Sequence, residues 1–237
     1  MKISRMPLFW LLLVLAPLHC GAQQVDVTAT VKIISGNRSL TSLGAVVWLV
    51  PVNQSITPER PGPRHLQLVQ KGKSFIPHLL VVPAGSAVDF PNEDPFFHNV
   101  FSLFDGKRFD LGLYEAGKTR TVMFDRPGIC YIFCNIHPEM SGVVIVLQTP
   151  YFGISDALGE IHIPGVPPGQ YQLHVWDERA LSSALEEATR EVTISEHSSS
   201  LGVLGLKAAP PIAFHHKNKY GQDYEPASPD NPIYVQP

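Results

Sequence analysis

Seven consecutive residues constrain this chain more than any other feature of its sequence. Residues 134–140 read CNIHPEM and place a thiol, an imidazole and a thioether at three-residue intervals, on Cys134, His137 and Met140. A second imidazole is available upstream, on His98. Soft sulfur donors favour copper over calcium or magnesium, and two His with one Cys and a distant Met form the ligand set of an electron-transfer copper site. One loop therefore carries three of the four candidate ligands.

The residues around this loop predict rigid strands. Residues 122–124 and 131–133 have β character, with a turn at Pro127 and Gly128 between them, and residues 143–147 form an apolar run. A ligand loop that joins two strands is held at both ends, which favours a fixed ligand geometry.

Three segments, residues 75–85, 90–100 and 127–140, match in order the motifs of the cupredoxins, the blue-copper family. The chain resembles that family over residues 63–148. Two residues separate Cys134 from His137 and two separate His137 from Met140, a spacing similar to that of amicyanin. The resemblance implies a Greek-key cupredoxin β-sandwich or barrel that binds one type 1 copper ion.

The same resemblance implies a role for each candidate residue. His98, Cys134 and His137 are the expected equatorial ligands, and Met140 is the expected axial ligand. Asn99 is expected to stiffen the ligand loop through hydrogen bonds, which orient ligands and tune the metal.

Two other metal sites fit part of the pattern. Zinc accepts one Cys, two His and a water, but it gives no role to Met140. Cys130 and Cys134 resemble the paired thiolates of the dinuclear copper centre of terminal oxidases, yet that centre places three residues between its second Cys and its His, whereas this chain has two. Four residues of extended strand span about 13 Å, too far for a disulfide. We therefore predict one copper ion and interpret Cys130 as an inward-facing packing residue.

Residues 1–22 predict a secretory signal peptide. Lys2 and Arg5 precede an apolar run at residues 7–18, and Ala22 offers a small residue for cleavage. The run is too short to span a bilayer, so we expect a periplasmic or secreted protein without stable membrane insertion. Loss of the two basic residues changes the formal charge from −3 to −5, because residues 1–22 contain no acidic residue. A mildly acidic protein has no electrostatic footprint for nucleic acid.

The remaining length, about 215 residues, exceeds what one small copper-binding barrel needs. Residues 156–173 resemble the second half of carboxypeptidase regulatory-like domains, which are small transthyretin-like β-sandwiches. Residues 45–52 are interpreted as a buried strand of the same module. We therefore expect an all-β chain in which residues 23–62 and 149–207 form one sandwich and the cupredoxin domain, residues 63–148, is inserted. A tandem arrangement is the alternative.

Helix is predicted only at residues 179–190, where apolar residues recur at helical spacing. The Pro-rich segment of residues 208–237 is expected to lie over the surface or to stay flexible. Its His215 and His216 are expected to be solvated, because no third donor of suitable spacing accompanies them. The combination of modules resembles methylamine-utilisation-like or plastocyanin-like proteins.

The predicted function is outer-sphere electron transfer to and from a redox partner protein. Multicopper enzymes flank their type 1 Cys with His on both sides, whereas Phe133 and Asn135 flank Cys134 here, so we do not expect an enzyme. Phe96, Phe97 and Pro138 adjoin ligands and are expected to form an apolar docking patch, which suits brief contacts. The alternatives are a periplasmic copper carrier or chaperone, and a non-redox binding or structural module with a secondary metal site.

Overall fold

The computed structural model describes residues 24–53, 62, 64–103, 106–210 and 216–224. The predicted signal peptide, His215 and residues 225–237 lie outside the described residues. The described chain consists of strands and one short helix, so the expected all-β fold class is confirmed. Within these ranges, no helix combines the length and apolar composition needed to cross a bilayer.

Nine strands precede residue 103. They are β1 (Val25–Ser35), β2 (Arg38–Thr41), β3 (Val46–Pro51), β4 (His65–Gln67), β5 (Val69–Lys71), β6 (Ser74–Ile76), β7 (Leu79–Pro83), β8 (Ser86–Pro91) and β9 (His98–Ser102).

Nine more strands and the helix follow. They are β10 (Phe109–Tyr114), β11 (Thr119–Phe124), β12 (Gly128–Phe133), β13 (Ser141–Leu147), β14 (Phe152–Ile154), β15 (Glu160–Val166), β16 (Gly169–Trp176), α1 (Ser182–Ala188), β17 (Arg190–Ile194) and β18 (Ser200–Lys207).

Strands from both ends of the described chain form one pair of sheets. In the first sheet β1 pairs with β15, β2 and β18, and in the second β3 lies between β14 and β16, with β17 beyond β16. Alternating side chains of β1, among them Val27 and Val31, pack against Tyr171 and Leu173 of β16. Both neighbours of β3 come from far later in the chain. The domain boundaries and the resemblance to carboxypeptidase regulatory-like domains stay predictions.

The strands between residues 65 and 147 form a second pair of sheets. One has the order β10-β9-β12-β13-β7 and the other the order β11-β8-β4. Phe90, Phe124 and Ile132 fill the space between them. This core holds the end of β12, which leads directly into the loop of residues 134–140.

The apolar run of β13 is buried on both faces. Val144 and Val146 face the core between the two sheets just described, while Val143 and Ile145 face a separate cluster shared with the first pair of sheets. A strand covered on both sides has no polar alternation, which explains the uninterrupted run in the sequence.

That shared cluster joins the two halves of the molecule. Val46 and Trp176 contribute to it from the first pair of sheets. Two polar contacts lie across the same junction: Trp176 Nε1–H donates to Tyr131 Oη at 3.4 Å, and His78 Nε2 pairs with Glu178 Oε2 at 2.7 Å. The sheet that carries β12 and β13 therefore packs directly on the other sandwich.

The helix is shorter than predicted, because α1 covers only Ser182–Ala188. Before it, Leu181 N–H donates to Lys207 O, and Ala180 forms a bridge with Ala208. After it, Arg190 already belongs to β17. Residues at both ends of the predicted segment therefore pair with neighbouring strands and are not helical.

Candidate metal site

His98, Cys134 and His137 converge at one end of the second pair of sheets. The Cys134 sulfur lies 3.7 Å from His98 Nδ1 and 3.5 Å from His137 Nδ1, and the three ligand atoms all lie within 4.8 Å of one another. His98 and Cys134 have no exposed surface, whereas His137 is partly exposed. Among the described residues, no other group of three or more His, Cys, Asp and Glu side chains has this arrangement.

Strand pairing explains how the distant His98 reaches the loop. His98 begins β9, and β9 lies beside β12 through the pairing of Phe101 with Phe133. Cys134 directly follows Phe133. The register of these two strands therefore places the upstream imidazole beside the thiol.

Backbone hydrogen bonds close the loop of residues 134–140. Cys134 N–H donates to Met140 O, and Met140 N–H donates to His137 O, both at 3.1 Å. Met140 is 1% exposed and packs in the same core cluster as Cys134. The loop thus places the Met140 thioether in the same core as the Cys134 thiol.

Asp94 orients His98, a role that the sequence analysis missed. Its Oδ2 lies 2.8 Å from His98 Nε2, and its two oxygens accept hydrogen bonds from Gly72 N–H and Lys73 N–H at 2.7 and 2.9 Å. With Nε2 donating to Asp94, the nitrogen that faces Cys134 is the unprotonated Nδ1. An acidic residue four positions before a candidate ligand was the available signal.

The pKa of Asp94 lies below its ordinary value although the carboxyl is buried. Burial alone raises this pKa, but the hydrogen bonds from Lys73 N–H, His98 and Gly72 N–H outweigh it. The carboxylate is therefore ionised at neutral pH and favours a proton on His98 Nε2.

Burial keeps both candidate imidazoles neutral. It lowers the pKa of His98, against the opposing effect of Asp94. It also lowers the pKa of His137 to about 4, with further contributions from His98 and Lys73. A neutral imidazole retains one nitrogen lone pair, which a metal ion requires.

The environment of Cys134 has opposing effects on its thiol. Burial raises the pKa, while the backbone N–H groups of Asn99, Ile136 and His137 act in the other direction by bonding to the sulfur. A bound cation shifts this balance further, because a coordinating thiol is deprotonated.

Cys130 lies in the apolar core cluster between the two sheets. It is fully buried, and burial raises its pKa to about 11. A methyl group added at Gly106 would lie 2.7 Å from its sulfur, so the chain packs tightly there. These contacts agree with the interpretation of Cys130 as a packing residue.

Asn99 acts on the site mainly through its backbone. Its N–H bonds to the Cys134 sulfur, whereas its side-chain Nδ2 donates to Asp110 Oδ1 at 2.7 Å rather than to the loop. Asn99 therefore connects the thiol with β10, where Asp110 lies.

The residues predicted as a docking patch differ in exposure. The Phe96 ring lies 5.2 Å from the His98 ring and 5.7 Å from the His137 ring, and it is partly buried. Phe97 is 55% exposed and Pro138 is partly exposed. Phe96 thus forms a wall of the site, and Phe97 points its ring into solvent.

Residues 216–224 lie against the ligand loop. Tyr224 Oη donates to Cys134 O at 2.8 Å, and Lys219 N–H donates to Asn135 Oδ1 at 2.9 Å. The His216 ring stacks on Phe133 with 4.3 Å between centroids. The expectation of a solvated His pair is therefore wrong for His216, which is half-buried, because an aromatic surface is available to it.

No family model matches the chain, and no curated protein matches it. Solved structures similar to it include cupredoxins. A purple cupredoxin from Nitrosopumilus maritimus is 26% identical with a TM-score of 0.32, and the match covers 35% of this chain and 99% of that one. A reduced-state structure of an amicyanin mutant is 20% identical with a TM-score of 0.33, over 42% of this chain and 99% of that one.

A copper-containing nitrite reductase from Thermus scotoductus is 28% identical with a TM-score of 0.34. That match covers 41% of this chain and 25% of the reductase, so the chain spans about a quarter of that enzyme.

Proposed function

We propose that this protein is an exported type 1 copper protein that carries electrons and is not an enzyme. The proposal depends on the convergence of one thiol and two neutral imidazoles within 4.8 Å. A thiolate with two imidazoles and a nearby thioether favours copper among biological metals. Export is inferred from the signal peptide predicted in residues 1–22.

The residues present fit one copper ion. His98 Nδ1, Cys134 Sγ and His137 Nδ1 would hold it, and the Met140 sulfur is the proposed fourth ligand. Asp94 selects the nitrogen of His98 that is free to bind. When bound, copper supplies a one-electron couple between its +1 and +2 states.

The protein contributes a fixed and dry ligand set. Hydrogen bonds within the loop hold Cys134 and Met140 in place, and the Asp94 carboxylate holds His98. Full burial of Cys134 and His98 excludes water from two of the ligands. A site whose side chains are already positioned needs little rearrangement when charge changes.

The partly exposed His137 marks the face proposed for redox partners. Pro138 follows His137 in the chain and is partly exposed, and Phe97, which precedes His98, is 55% exposed. A small apolar contact suits an encounter that must end quickly. The proposed partner is therefore a redox protein that docks on this face.

Burial of the ligands favours an electron carrier over a copper chaperone. A protein that hands over its metal needs ligands that a recipient can reach, whereas Cys134 and His98 have no exposed surface. We therefore expect copper to leave the protein slowly when a strong chelator is added, while electrons exchange rapidly with small redox reagents.

The decisive experiment is a copper(II) titration of the purified exported protein and of two cysteine variants. The wild type should bind one copper per chain, show an intense sulfur-to-copper absorption band, and give a four-line electron paramagnetic resonance pattern. Cys134→Ser should lose the band because it lacks the thiolate. Cys130→Ala, the matched control, should keep it because Cys130 packs against Gly106.

Three results would contradict the proposal. The first is a wild-type protein that stays colourless and binds no stoichiometric copper. The second is a seven-line mixed-valence spectrum, which indicates a dinuclear centre. The third is loss of the band in Cys130→Ala together with its retention in Cys134→Ser.

A further inference from the structure

The segment of residues 216–224 contacts the ligand loop at two adjacent residues. The Tyr224 hydroxyl donates to the carbonyl of Cys134, the residue whose side chain is the proposed thiolate ligand. The Lys219 backbone N–H donates to the side chain of Asn135, the next residue in the loop. Both bonds join the start of the loop to a segment far away in sequence.

The same segment reaches the other ligand-bearing strand through Asp110. Lys219 Nζ pairs with Asp110 Oδ2 at 2.7 Å, and Asp110 Oδ1 accepts a hydrogen bond from the Asn99 side-chain Nδ2 at 2.7 Å. Asn99 follows His98 and bonds to the Cys134 sulfur through its N–H. Residues 216–224 therefore contact the loop of residues 134–140 directly and are linked to Asn99, which follows His98, through Asp110.

The segment is folded on itself at its centre. Asn218 Oδ1 accepts Tyr220 N–H at 2.9 Å and Gln222 N–H at 3.0 Å, and Asn218 N–H donates to Gln222 O at 2.8 Å. His216 adds a stacked contact with Phe133 and an edge contact with Tyr224 at 5.3 Å. A segment with its own turn loses less conformational entropy when it binds, so its contacts can hold the loop.

We propose that residues 216–224 form a strap that positions the metal loop, with Tyr224 and Lys219 as its positioning residues. The strap bears on the proposed copper site and so rests on the proposed function. Neither residue is a metal ligand. Their effect passes through the Cys134 carbonyl, the Asn135 side chain and the Asp110–Asn99 bond.

The strap also has an expected electrostatic effect. The Tyr224 hydroxyl directs the positive end of its dipole at the carbonyl of Cys134. A positive dipole end near the site destabilises the oxidised state, which carries one more positive charge than the reduced state. Removal of this hydroxyl should therefore lower the reduction potential of the copper-loaded protein.

The test compares two tyrosine variants of the full chain. Tyr224→Phe removes the hydroxyl, which bonds to the Cys134 carbonyl and lies 3.2 Å from His216 Nδ1, and it keeps the ring beside His216. Tyr220→Phe is the matched control at Cys134 and Met140, because Tyr220 is 73% exposed and interacts with the Lys219 side chain, whereas Lys219 bonds to the loop through its backbone N–H. Hydrogen exchange of the metal-free protein is followed at the Cys134 and Met140 amides, with the Val144 amide of β13 as an internal reference.

Tyr224→Phe should speed exchange at Cys134 and Met140 by about 2- to 10-fold, the effect of losing the bond to the Cys134 carbonyl, with Val144 unchanged. Tyr220→Phe should match the wild type. Lys219→Met should speed exchange at the backbone amide of Asn99 by no more than about fivefold, because it removes the partly exposed ion pair with Asp110. In the copper-loaded protein, Tyr224→Phe should also lower the potential.

The strap proposal fails if Tyr224→Phe exchanges like the wild type, if Tyr220→Phe changes it equally, or if Val144 accelerates as much as the loop. Because exchange is measured without metal, these results do not depend on copper. The wild-type protein could take up no copper while Tyr224→Phe still speeds amide exchange in the loop. That pair of results would contradict the proposed function and support the strap.

Discussion

A single carboxylate controls which nitrogen of His98 faces the thiol. Asp94 is held in turn by the Gly72 and Lys73 backbone N–H groups, so its position depends on the turn between β5 and β6. The resulting order, from backbone to carboxylate to imidazole, resembles the support that metal-binding His residues commonly receive. At the residue scale, the site therefore depends on a side chain that is not one of its ligands.

Asp94→Asn should weaken copper binding by about 10- to 100-fold, the usual effect of losing such support. The Asn side chain carries no negative charge. It also has one acceptor oxygen, whereas the two carboxylate oxygens of Asp94 accept hydrogen bonds from His98, Gly72 and Lys73. The measurement is a competition titration against a chelator of known affinity. Glu93→Gln is the control, because Glu93 is an adjacent exposed acid that pairs with Lys71 at 3.1 Å. Equal weakening in both variants would indicate a general charge effect and contradict the specific role of Asp94.

Among the elements, the turn between β14 and β15 shows how closely the strands of the first sandwich approach. Asp156 Oδ1 accepts Leu158 N–H and Glu160 N–H, both at 2.9 Å, and Gly159 has a φ of +78°. A Cβ at Gly159 would lie 2.5 Å from Val31 O on β1. The position therefore requires glycine for its backbone conformation and for the approach of β1.

Gly159→Ala should destabilise the protein by about 3–5 kcal/mol, since positive φ and a clash with a backbone oxygen act together. Gly36→Ala is the matched control: Gly36 has a φ of +56°, but no atom lies within 4 Å of its added Cβ. That variant should lose only about 1–2 kcal/mol. Urea unfolding measures both values. A similar loss of unfolding free energy in the two variants would show that the close approach of β1 to Gly159 does not contribute to stability.

At the scale of the whole molecule, the two sandwiches meet through an apolar cluster and an ion pair. His78 lies before β7, and its partner Glu178 follows β16. The hydrogen bond to Glu178 raises the pKa of His78, with burial acting in the opposite direction. His78 Nδ1 also bonds to Ser141 O at 3.1 Å, at the start of β13. The junction between the sandwiches therefore contains an imidazole whose pKa lies above its ordinary value.

The raised pKa predicts a pH-dependent contribution to stability. Because the folded-state pKa of His78 exceeds its unfolded value of about 6.5, the pair stabilises the fold fully below that value. The contribution is lost as pH rises through the folded-state pKa. Glu178→Gln should therefore lower Tm relative to the wild type at pH 6, and the difference should shrink towards pH 9. Glu187→Gln, an exposed acid on α1, is the control. A difference that is independent of pH would contradict the assignment.

Local spacing in the sequence was sufficient for several parts of the structure. Tyr171, Leu173 and Val175 alternate with polar residues, a pattern typical of a strand with one buried face, and all three are buried in β16. The spacing of Cys134, His137 and Met140 predicted a compact ligand loop. In each case the informative residues lie within a few positions of one another, so strand periodicity or loop length alone constrains their geometry.

What the sequence by itself determined about this protein was the set of short-range patterns: the loop of residues 134–140, the strands beside it and the all-β class. Only the tertiary structure decided which distant segments meet, including β18 with β1, Lys219 with Asp110, and Tyr224 with the Cys134 carbonyl. The sequence did not predict β18 as a strand, because Gly202 and Gly205 interrupt its apolar pattern. Such contacts depend on burial and pairing across the whole fold, and no local spacing records them.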